Sequence, residues 1–305
     1  MQCGRTDRLF DIAVTLLCWM YFILGFLVFF SPLYIAAALF SSQREHAFQR
    51  LNRTFYRGFF AFLRTLAPRQ QWIIDERIAD LRSAVIVCNH RSYLDPLLLI
   101  ALLDRSKTFV KSIFFTVPIF SWVLRTAGYL PASATGRFVS LMLAQMETMG
   151  AYLAGGGNLF IFPEGTRSRD DNLGTLSQGA LKIARQCQVP VYVLCLHNTD
   201  RLFPPGCFFF CTRKPNVISV RVVDHILAGD RHQGLAALHD RVRQALERCL
   251  QDAAILPTAD IPSFSSKPLK LHDWRMMSKG DWKGRYQREG QRWERLVTFK
   301  NTEEY

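Results

Sequence analysis

The feature that most constrains the fold is an uncharged, apolar run near the N-terminus. No charged residue occurs in residues 12–43, and residues 12–30 are almost all apolar. A helix over residues 12–30 is about 28 Å long, close to the hydrocarbon thickness of a bilayer. A cleaved signal peptide has a shorter apolar stretch followed by small residues, whereas this run continues to Phe40. We therefore predict an uncleaved, membrane-anchoring helical segment.

Pro32 interrupts this run, and a proline lacks the amide hydrogen and clashes with the preceding helical turn. The sequence predicts a break or bend there. Two arrangements stay open: one spanning helix with a short interfacial piece, or two helices that enter one leaflet and return. Residues 44–64 carry five arginines and one acidic residue, Glu45. Because positive charge flanks membrane segments on the cytoplasmic side, we expect the rest of the chain to face the cytoplasm, at the inner membrane if the source is bacterial.

Residues 46–66 place apolar side chains every three or four positions, which is typical of a helix with one apolar face. The stripe consists of Phe48, Leu51, Phe55, Phe59, Phe62, Leu63 and Leu66. It fits a helix packed on the core, and it fits an interfacial helix on anionic lipid. The phenylalanine content and the arginine-rich opposite side favour the lipid interface. We assign residues 1–70 to a membrane anchor with an interfacial amphipathic helix.

Short apolar runs alternate with helical stretches from residue 71 onward. Strands are predicted at 72–74, 84–88, 108–110, 158–162, 191–196, 208–211 and 217–223, and helices at 96–104, 112–127, 137–153, 177–187 and 232–251. Such alternation is typical of an α/β fold in which helices flank a mixed sheet. We assign this domain to residues 71–251. Residues 252–305 are a linker and a basic tail with Trp274, Trp282 and Trp293, to which the sequence assigns no role.

The charge balance favours anionic partners. Lys plus Arg number 38 against 25 acidic residues, a net charge of +13 over 305 residues. Nucleic acid and membrane headgroups both attract such a chain. No Arg/Lys-rich recognition helix or RNA-binding aromatic motif is found, so we expect membrane lipid and not nucleic acid as the partner.

The eight cysteines form no C-x-x-C pair, and no histidine lies near enough to suggest a zinc finger. They are also too sparse for a disulfide scaffold. We therefore expect no metal site, and buried, reduced thiols.

The first chemical motif, Asn-His-Arg-Ser-Tyr-Leu-Asp at residues 89–95, directly follows the predicted strand 84–88. On a continuous helix His90 and Asp95 would diverge by about 140°, but across a strand-to-helix turn they can meet. A carboxylate bonded to one imidazole nitrogen fixes the tautomer and raises the basicity of the other nitrogen. Asp95 followed by Pro96 also fits a helix N-cap, with His90 a loop residue. A general base and a simple helix cap therefore both stay open.

The second motif, Phe-Pro-Glu-Gly-Thr-Arg-Ser at residues 162–168, closes the predicted strand 158–162. Pro163 ends the strand, and Gly165 permits a tight turn. An arginine with hydroxyl and backbone donors is suited to a phosphate, although polar turns are also frequent at strand ends. Both motifs follow strands, and ligands bind at the carboxyl edge of open α/β sheets.

Together the two motifs, about seventy residues apart, resemble the glycerolipid and lysophospholipid acyltransferases over residues 72–224. The resemblance implies that His90 deprotonates an acceptor hydroxyl and that Asp95 orients His90. The hydroxyl then attacks the thioester of an acyl-CoA or acyl-carrier protein without an acyl-enzyme. The expected reaction is acylation of a lysophospholipid, foremost 1-acylglycerol-3-phosphate, in phospholipid biosynthesis. No cofactor is expected beyond the acyl donor.

The resemblance also implies a pocket for the acceptor's phosphate or polar head. Its residues are Glu164, Gly165, Thr166 and Arg167, with Lys111 as a weaker candidate. Because a carboxylate does not bind phosphate by charge, we expect Glu164 to organise the turn or Arg167.

One departure from the family pattern concerns the acceptor. Family members that act on lysophosphatidic acid usually carry an arginine a few residues after the glycine of the segment here at 128–134. Ala134 stands about where that arginine would fall, and Arg137 lies three residues later. Another acceptor, such as a lyso-aminolipid, therefore stays open. A non-catalytic membrane scaffold is the alternative of a different class, since it would need neither His90 nor Asp95.

Overall fold

The structure, a computed structural model, describes residues 5–133, 136–167, 173–227 and 234–252. The tail with its three tryptophans, and Ala134, lie outside these ranges. The helices are α1 (Arg5–Met20), α2 (Ser31–Phe40), α3 (Arg44–Leu66), α4 (Leu94–Leu102), α5 (Pro118–Thr126), α6 (Val139–Glu147), α7 (Met149–Ala154), α8 (Gly179–Cys187), α9 (Thr199–Leu202) and α10 (Leu235–Asp252). The strands are β1 (Gln70–Ile74), β2 (Ala84–Cys88), β3 (Ser106–Val110), β4 (Leu130–Pro131), β5 (Asn158–Ile161), β6 (Val191–His197) and β7 (Asn216–Ile226).

The seven strands form one mixed sheet in the order β1-β7-β6-β2-β5-β3-β4. Neighbouring strands are parallel except β6 and β7, which are antiparallel. Alternate residues of β2 point to opposite faces: Ile86 and Cys88 join the core with α3, α4 and α5, while Val85 and Val87 join the core with α7, α8 and α10. The predicted mixed sheet with helices on both faces is therefore confirmed.

The structure differs from the sequence predictions at four places. The predicted helix 137–153 divides at Thr148 into α6 and α7. The predicted strand 208–211 is an irregular loop, because its backbone bonds to α1 instead of to a strand. The predicted helix 112–127 divides into a 3₁₀ turn (Ser112–Thr116) and α5, since Pro118 occupies the first turn of α5 and lacks the amide that would continue the earlier helix. The two-residue strand β4 is too short to give a sequence pattern.

Within the described residues, one helix is long and apolar enough to cross a membrane by length and composition. It covers Thr6–Phe40, 35 residues, with an 18-residue window of mean hydropathy 2.4, and consists of α1, a π-helical segment (Tyr21–Phe30) and α2. The predicted break at Pro32 does not occur. The amide of Ser31 bonds to the carbonyl of Phe26, five residues back, so a wide turn precedes the proline, which lies in the first turn of α2.

Helix α3 turns back after Ser41–Gln43 and packs antiparallel to this long helix. Aromatic rings pair along the seam: Tyr34 with Phe48 at 5.0 Å and Phe22 with Phe59 at 4.6 Å between centroids. Phe48, Phe59 and Leu63 are fully buried. The apolar stripe of α3 therefore packs inside the protein, which corrects the interpretation that it lies on lipid.

The first turns of α1 dock on the loop after α9. Asp11 Oδ1 accepts hydrogen bonds from the amide (2.8 Å) and the hydroxyl (2.5 Å) of Thr212. The hydroxyl oxygen of Thr15 accepts from the amide of Phe210 at 3.0 Å, and Asp7 pairs with Arg213 at 3.0 Å. This end of the long helix is thus part of the α/β domain.

The long helix and α3 form a helical hairpin, whose turn is tied to the sheet by a buried lysine. Lys107 of β3 is 1% exposed and pairs with Glu45 of α3 at 3.0 Å. Its Nζ also donates to Gln145 at 3.1 Å and lies 4.3 Å from the centroid of the Tyr152 ring. Burial lowers the pKa of Lys107, and Glu45 opposes that shift. The start of α3 is therefore fixed to the domain by a desolvated charge.

A disulfide joins Cys195 of β6 to Cys249 of α10, 54 residues apart. The expectation that all cysteines are reduced thiols is wrong at this pair. Sequence spacing gave no signal for it, because the fold, and not the chain, brings the last turn of α10 against β6.

Candidate active site

Four neighbouring strands direct their carboxyl ends to one edge of the sheet, because β6, β2, β5 and β3 are consecutive and parallel. The first motif follows β2 and the second follows β5, while Lys111 follows β3. Thr199 follows β6. The adjacency of β2 and β5 brings the two motifs together, as expected for a ligand site in an open α/β sheet.

Asp95 is the most constrained residue of this edge. Its carboxylate is fully buried and accepts four hydrogen bonds. Oδ2 accepts from His90 Nδ1 at 3.0 Å and from the amides of Arg91 and Ser92 at 2.6 and 2.7 Å. Oδ1 accepts from the hydroxyl of Thr199 at 2.5 Å. Burying a charge costs free energy unless hydrogen-bond donors pair with it, so the four donors hold the Asp95 carboxylate in place.

Asp95 is not the helix N-cap. Helix α4 begins at Leu94, with Tyr93 as the N-cap residue, and Asp95 lies in its first turn. The carboxylate instead binds the turn that precedes the helix. Of the two alternatives that the sequence left open, the structure therefore contains the His–Asp pair.

The geometry of His90 leaves one ring nitrogen available. An ionised carboxylate only accepts, so the bond to Asp95 places the hydrogen on Nδ1 and a lone pair on Nε2. The ring stacks on Phe162 with centroids 4.1 Å apart and planes 22° apart. The side chain is 17% exposed. His90 is thus an oriented imidazole that a ligand can reach.

The turn that carries His90 is bonded to the end of β6. Asn89 Nδ2 donates to the carbonyl of Leu196 at 2.8 Å, and Asn89 Oδ1 accepts from the amide of Leu196 at 2.8 Å. The hydroxyl of Ser92 donates to the carbonyl of Phe203 at 2.8 Å. Arg91 pairs with Asp200 at 3.1 Å, so, with Asp95 bound by Thr199, side chains at four positions of the first motif contact the segment 196–203.

Glu164 links the two motifs. Its Oε1 accepts from the amide of His90 at 3.4 Å, and its Oε2 accepts from the amide of Gly174 at 3.2 Å. Gly165 has a φ of +68°, a left-handed conformation that favours glycine. Thr166 is exposed beside it. Glu164 therefore organises the turn, as its charge led us to expect.

Arg167 lies over the first motif. Its guanidinium carbon is 3.5 Å from the centroid of the Tyr93 ring. Its Nη1 is buried and has no hydrogen-bond partner among the described residues. A buried donor without a partner is unusual and points to a ligand acceptor at this position. Lys111 is exposed at the end of β3, and within the described ranges no hydrogen bond joins it to either motif.

Sequence reasoning missed Thr199 and the role of Phe162 as the ring that supports His90. Thr199 has no motif spacing to the histidine. The residue before it, Asn198, follows β6 with a φ of +60°. Asparagine tolerates this conformation better than most residues, so an asparagine after an apolar run is a weak sequence signal for the turn before Thr199.

The chain is similar to known proteins over the segment that carries both motifs. Residues 71–197 match the family described as Acyltransferase. Among curated proteins, the chain is 34% identical over 124 residues to the chloroplastic 1-acyl-sn-glycerol-3-phosphate acyltransferase BAT2 of Brassica napus, covering 40% of this chain and 35% of the relative. Over residues 71–197 the chain is therefore similar to this acyltransferase family. The chain is also 34% identical to the chloroplastic 1-acyl-sn-glycerol-3-phosphate acyltransferase LPAT1 of Arabidopsis thaliana, over 125 residues covering 40% of the chain and 34% of the relative.

A longer match is to the 1-acyl-sn-glycerol-3-phosphate acyltransferase alpha of Ovis aries, 26% identical over 179 residues, or 53% of the chain and 56% of the relative. The chain spans about a third of the length of the two plant relatives. Its fold is similar to the crystal structure of the 1-acyl-sn-glycerophosphate (LPA) acyltransferase PlsC from Thermotoga maritima. The TM-score is 0.61 at 19% identity, covering 79% of this chain and 96% of that chain.

The bond from Thr199 to Asp95 gives a test of the site's construction. Thr199→Val keeps the shape and removes one of four donors to a buried carboxylate. Losing such a bond costs roughly 1.5–3 kcal/mol, so we expect Tm to fall by roughly 3–12 °C and the rate of acyl transfer to fall with it. Thr65→Val, at an exposed position of α3, is the matched control. If Thr199→Val and Thr65→Val have the same Tm and rate, Thr199 does not position Asp95.

Proposed function

We propose that this chain transfers a fatty acyl group from a thioester donor to the hydroxyl of a lysophospholipid, with 1-acylglycerol-3-phosphate as the acceptor. The observation that carries the proposal is the buried His90–Asp95 pair, whose available Nε2 lies at the same sheet edge as the unpartnered Nη1 of Arg167. The names of the plant and sheep relatives support this acceptor. Acyl-CoA and acyl-carrier protein are the candidate donors.

In the proposed mechanism, Nε2 of His90 takes the proton of the acceptor hydroxyl. The oxygen attacks the thioester carbonyl, and a tetrahedral intermediate forms. Asp95 stabilises the imidazolium, because its charge lies 3.0 Å from Nδ1. As the intermediate collapses, the carbon–sulfur bond breaks and the imidazolium returns its proton to the departing thiolate. No residue of the chain becomes acylated in this sequence.

The acceptor's phosphate is assigned to Arg167. A guanidinium presents a planar fork of donors that pairs with two phosphate oxygens at once. Tyr93 holds the fork from one side, and Glu164 of the same turn binds the amides of His90 and Gly174. Lys111, exposed at the same edge, adds positive potential there. The alanine at position 134 is the observation that favours the second candidate, an acceptor without a phosphate monoester such as a lyso-aminolipid.

We also propose that the helical hairpin enters one leaflet instead of crossing the bilayer. Both ends of the long helix are bonded to the same α/β domain: Asp11 near its start binds Thr212, and Glu45, just after the hairpin turn, binds Lys107. A bilayer cannot separate two ends that contact one domain. The outer face of the hairpin carries exposed apolar side chains: Leu24, Leu27, Val28, Leu39 and Phe40. This face provides the lipid contact.

The apolar surface continues beyond the hairpin. Trp122 of α5 packs edge-on against Phe48 of α3, with centroids 5.1 Å apart. Exposed apolar residues surround this contact on α5 and the preceding 3₁₀ turn: Ile113, Phe114, Val117, Ile119 and Phe120. The turn and α5 follow the strand whose carboxyl end lies at the site edge. Such a patch on the same side as the hairpin supports entry of lipid substrates from the membrane.

The catalytic pair is tested by His90→Ala and Asp95→Asn. We expect each variant to lose acyl transfer by at least about 10²-fold, because general-base catalysis contributes roughly 10²–10⁴-fold. Steady-state assays with 1-acylglycerol-3-phosphate and acyl-CoA measure the loss, and His225→Ala, at an exposed histidine of β7, is the control. A folded His90→Ala protein that turns over at the wild-type rate would overturn the mechanism.

Phosphate binding is tested by Arg167→Lys, which keeps the charge but loses the fork. We expect KM for 1-acylglycerol-3-phosphate to rise roughly ten- to a hundred-fold, since a charge-assisted hydrogen bond contributes about 1.5–3 kcal/mol. KM for the acyl donor should stay unchanged. Arg125→Lys, exposed on α5, is the matched control. An unchanged acceptor KM with a lowered Tm would make Arg167 structural and favour a lyso-aminolipid acceptor.

The membrane arrangement is tested by labelling in sealed vesicles. Ser42 is exposed in the turn of the hairpin, and Cys207 is an exposed free cysteine of the domain. A membrane-impermeant maleimide is applied to either side of vesicles that carry Ser42→Cys, with Cys207 as the internal reference. We expect the Ser42→Cys site to react only when the maleimide is applied to the side that also labels Cys207. Labelling from the opposite side would show a spanning helix.

A further inference from the structure

A thiol–imidazole cluster lies beneath the active-site edge. Cys195 and His197 are two residues apart in β6, so their side chains share one face of the strand. His197 Nε2 is 3.2 Å from the sulfur of Cys195 and 2.9 Å from the sulfur of Cys249. The exposed fractions of these three residues are 0%, 3% and 6% for Cys195, His197 and Cys249. None of the three takes part in the proposed acyl transfer.

The disulfide fastens the C-terminal helix to the sheet. Cys249 lies in the last turn of α10, and 54 residues separate it from Cys195. Farther up the helix, Arg241 forms two hydrogen bonds of 2.8 Å with Asp224 of β7. The pairing with Arg241 lowers the pKa of Asp224, as expected for a firm ion pair. The ion pair therefore anchors the first half of α10 to β7, and the disulfide anchors its C-terminal end to β6.

The same stretch of β6 supports the catalytic pair. Leu196, between Cys195 and His197, forms both hydrogen bonds with Asn89, the residue before His90. Two residues beyond His197, Thr199 donates to Asp95. A change in the position of β6 at Cys195 is thus transmitted to His90 and Asp95 through bonds already described, without an intervening mobile element.

The surroundings of the two cysteines favour thiol–disulfide exchange. An imidazole beside a thiol favours the thiolate, which is the form that attacks a disulfide. The charge pattern of the sequence predicts a cytoplasmic domain, and disulfides in that compartment are usually transient or redox-sensing. This disulfide also lies next to the residues that bind Asn89 and Asp95, so a redox-sensing role fits it better than a purely structural one.

We propose that Cys195 and Cys249 are a reversible redox pair, responsive to low-molecular-weight thiols and disulfides, whose oxidation state sets the order of the active-site edge. Oxidation begins at Cys249, the more exposed of the two. Its thiolate attacks oxidised glutathione, forming a mixed disulfide and releasing one glutathione thiolate. The thiolate of Cys195 then displaces the second glutathione. Two protein S–H bonds and one glutathione S–S bond are replaced by one protein S–S bond and two glutathione S–H bonds.

The expected effect on acyl transfer rests on the proposed function, whereas the effects on the disulfide and on stability do not. Because a disulfide across a long loop typically stabilises by a few kcal/mol, reduction should lower Tm by on the order of 10 °C. The oxidised protein contains the assembled His90–Asp95 pair, so reduction should slow acyl transfer roughly two- to tenfold.

The experiment equilibrates the full-length protein in vesicles at graded ratios of reduced to oxidised glutathione. Alkylation and mass spectrometry give the oxidised fraction of Cys195 and Cys249, and thermal unfolding gives Tm. Assays with 1-acylglycerol-3-phosphate and acyl-CoA are run in parallel. We expect both Tm and rate to follow the oxidised fraction. If the redox response of Tm is present but no acyl transfer is detected in any state, the proposed function fails while the redox pair stands.

Cys249→Ser is the decisive variant, because it removes the pair but leaves the proposed catalytic residues unchanged. We expect its Tm and rate to match the reduced wild type at every glutathione ratio. Cys207→Ser, at an exposed free cysteine, is the matched control and should respond like the wild type. The native protein alone remains a sufficient test if Cys249→Ser does not fold.

Three results would overturn the proposal. The pair could stay fully oxidised in excess dithiothreitol while the protein remains folded, which would make it a fixed structural bond. Tm and rate could be identical in the two states. Or the reduced protein could retain one zinc ion per chain and resist alkylation at both cysteines, which would make Cys195, His197 and Cys249 a metal site.

Discussion

The burial of the Asp95 carboxylate dictates how this end of the molecule is built. A charge removed from water needs donors on every side, and Asp95 finds them in two segments that are about a hundred residues apart. The turn after β2 supplies one imidazole and two amides, and Thr199 after β6 supplies a hydroxyl. These bonds form only if β2 and β6 are neighbours in the register that pairs Cys88 with Leu194. The sheet order and the chemistry of His90 therefore depend on the same contacts.

The central sheet and the two motif turns could be predicted because their residues are apolar in short runs that end in turn-forming residues. Strand β2 is buried at all five positions and reads as five consecutive apolar residues, so its predicted bounds, 84–88, match the structure. The segment 208–211 shows where that reasoning fails. It is as apolar as a strand, but the amide of Phe210 binds the hydroxyl of Thr15 in α1 and the amide of Cys211 binds the carbonyl of Leu202. No local pattern reports a partner about two hundred residues away.

The candidate site could be predicted only as far as its motifs reach. Motif spacing identifies His90, Asp95 and Arg167. Thr199 reaches Asp95 only because β6 pairs with β2 in one register, and the sequence does not reveal that register. Helix α3 shows a second limit, because a stripe that packs on protein has the same period as one that lies on lipid. The pairing of Cys195 with Cys249 is a third limit, because 54 residues separate the two cysteines and the contact between β6 and α10 brings them together.

The stacking of His90 on Phe162 has a consequence for how acceptor specificity can change. Phe162 supports the base, and the next two residues begin the turn that carries Arg167. Glu164 of that turn also holds the amide of His90. In the proposed function, these contacts join the base to the turn that binds the acceptor, so a substitution that reshapes the turn for a new headgroup also displaces the imidazole of His90. Retargeting such a site requires coordinated changes in both segments, and exchanging the second motif alone is expected to give a correctly folded but slow enzyme.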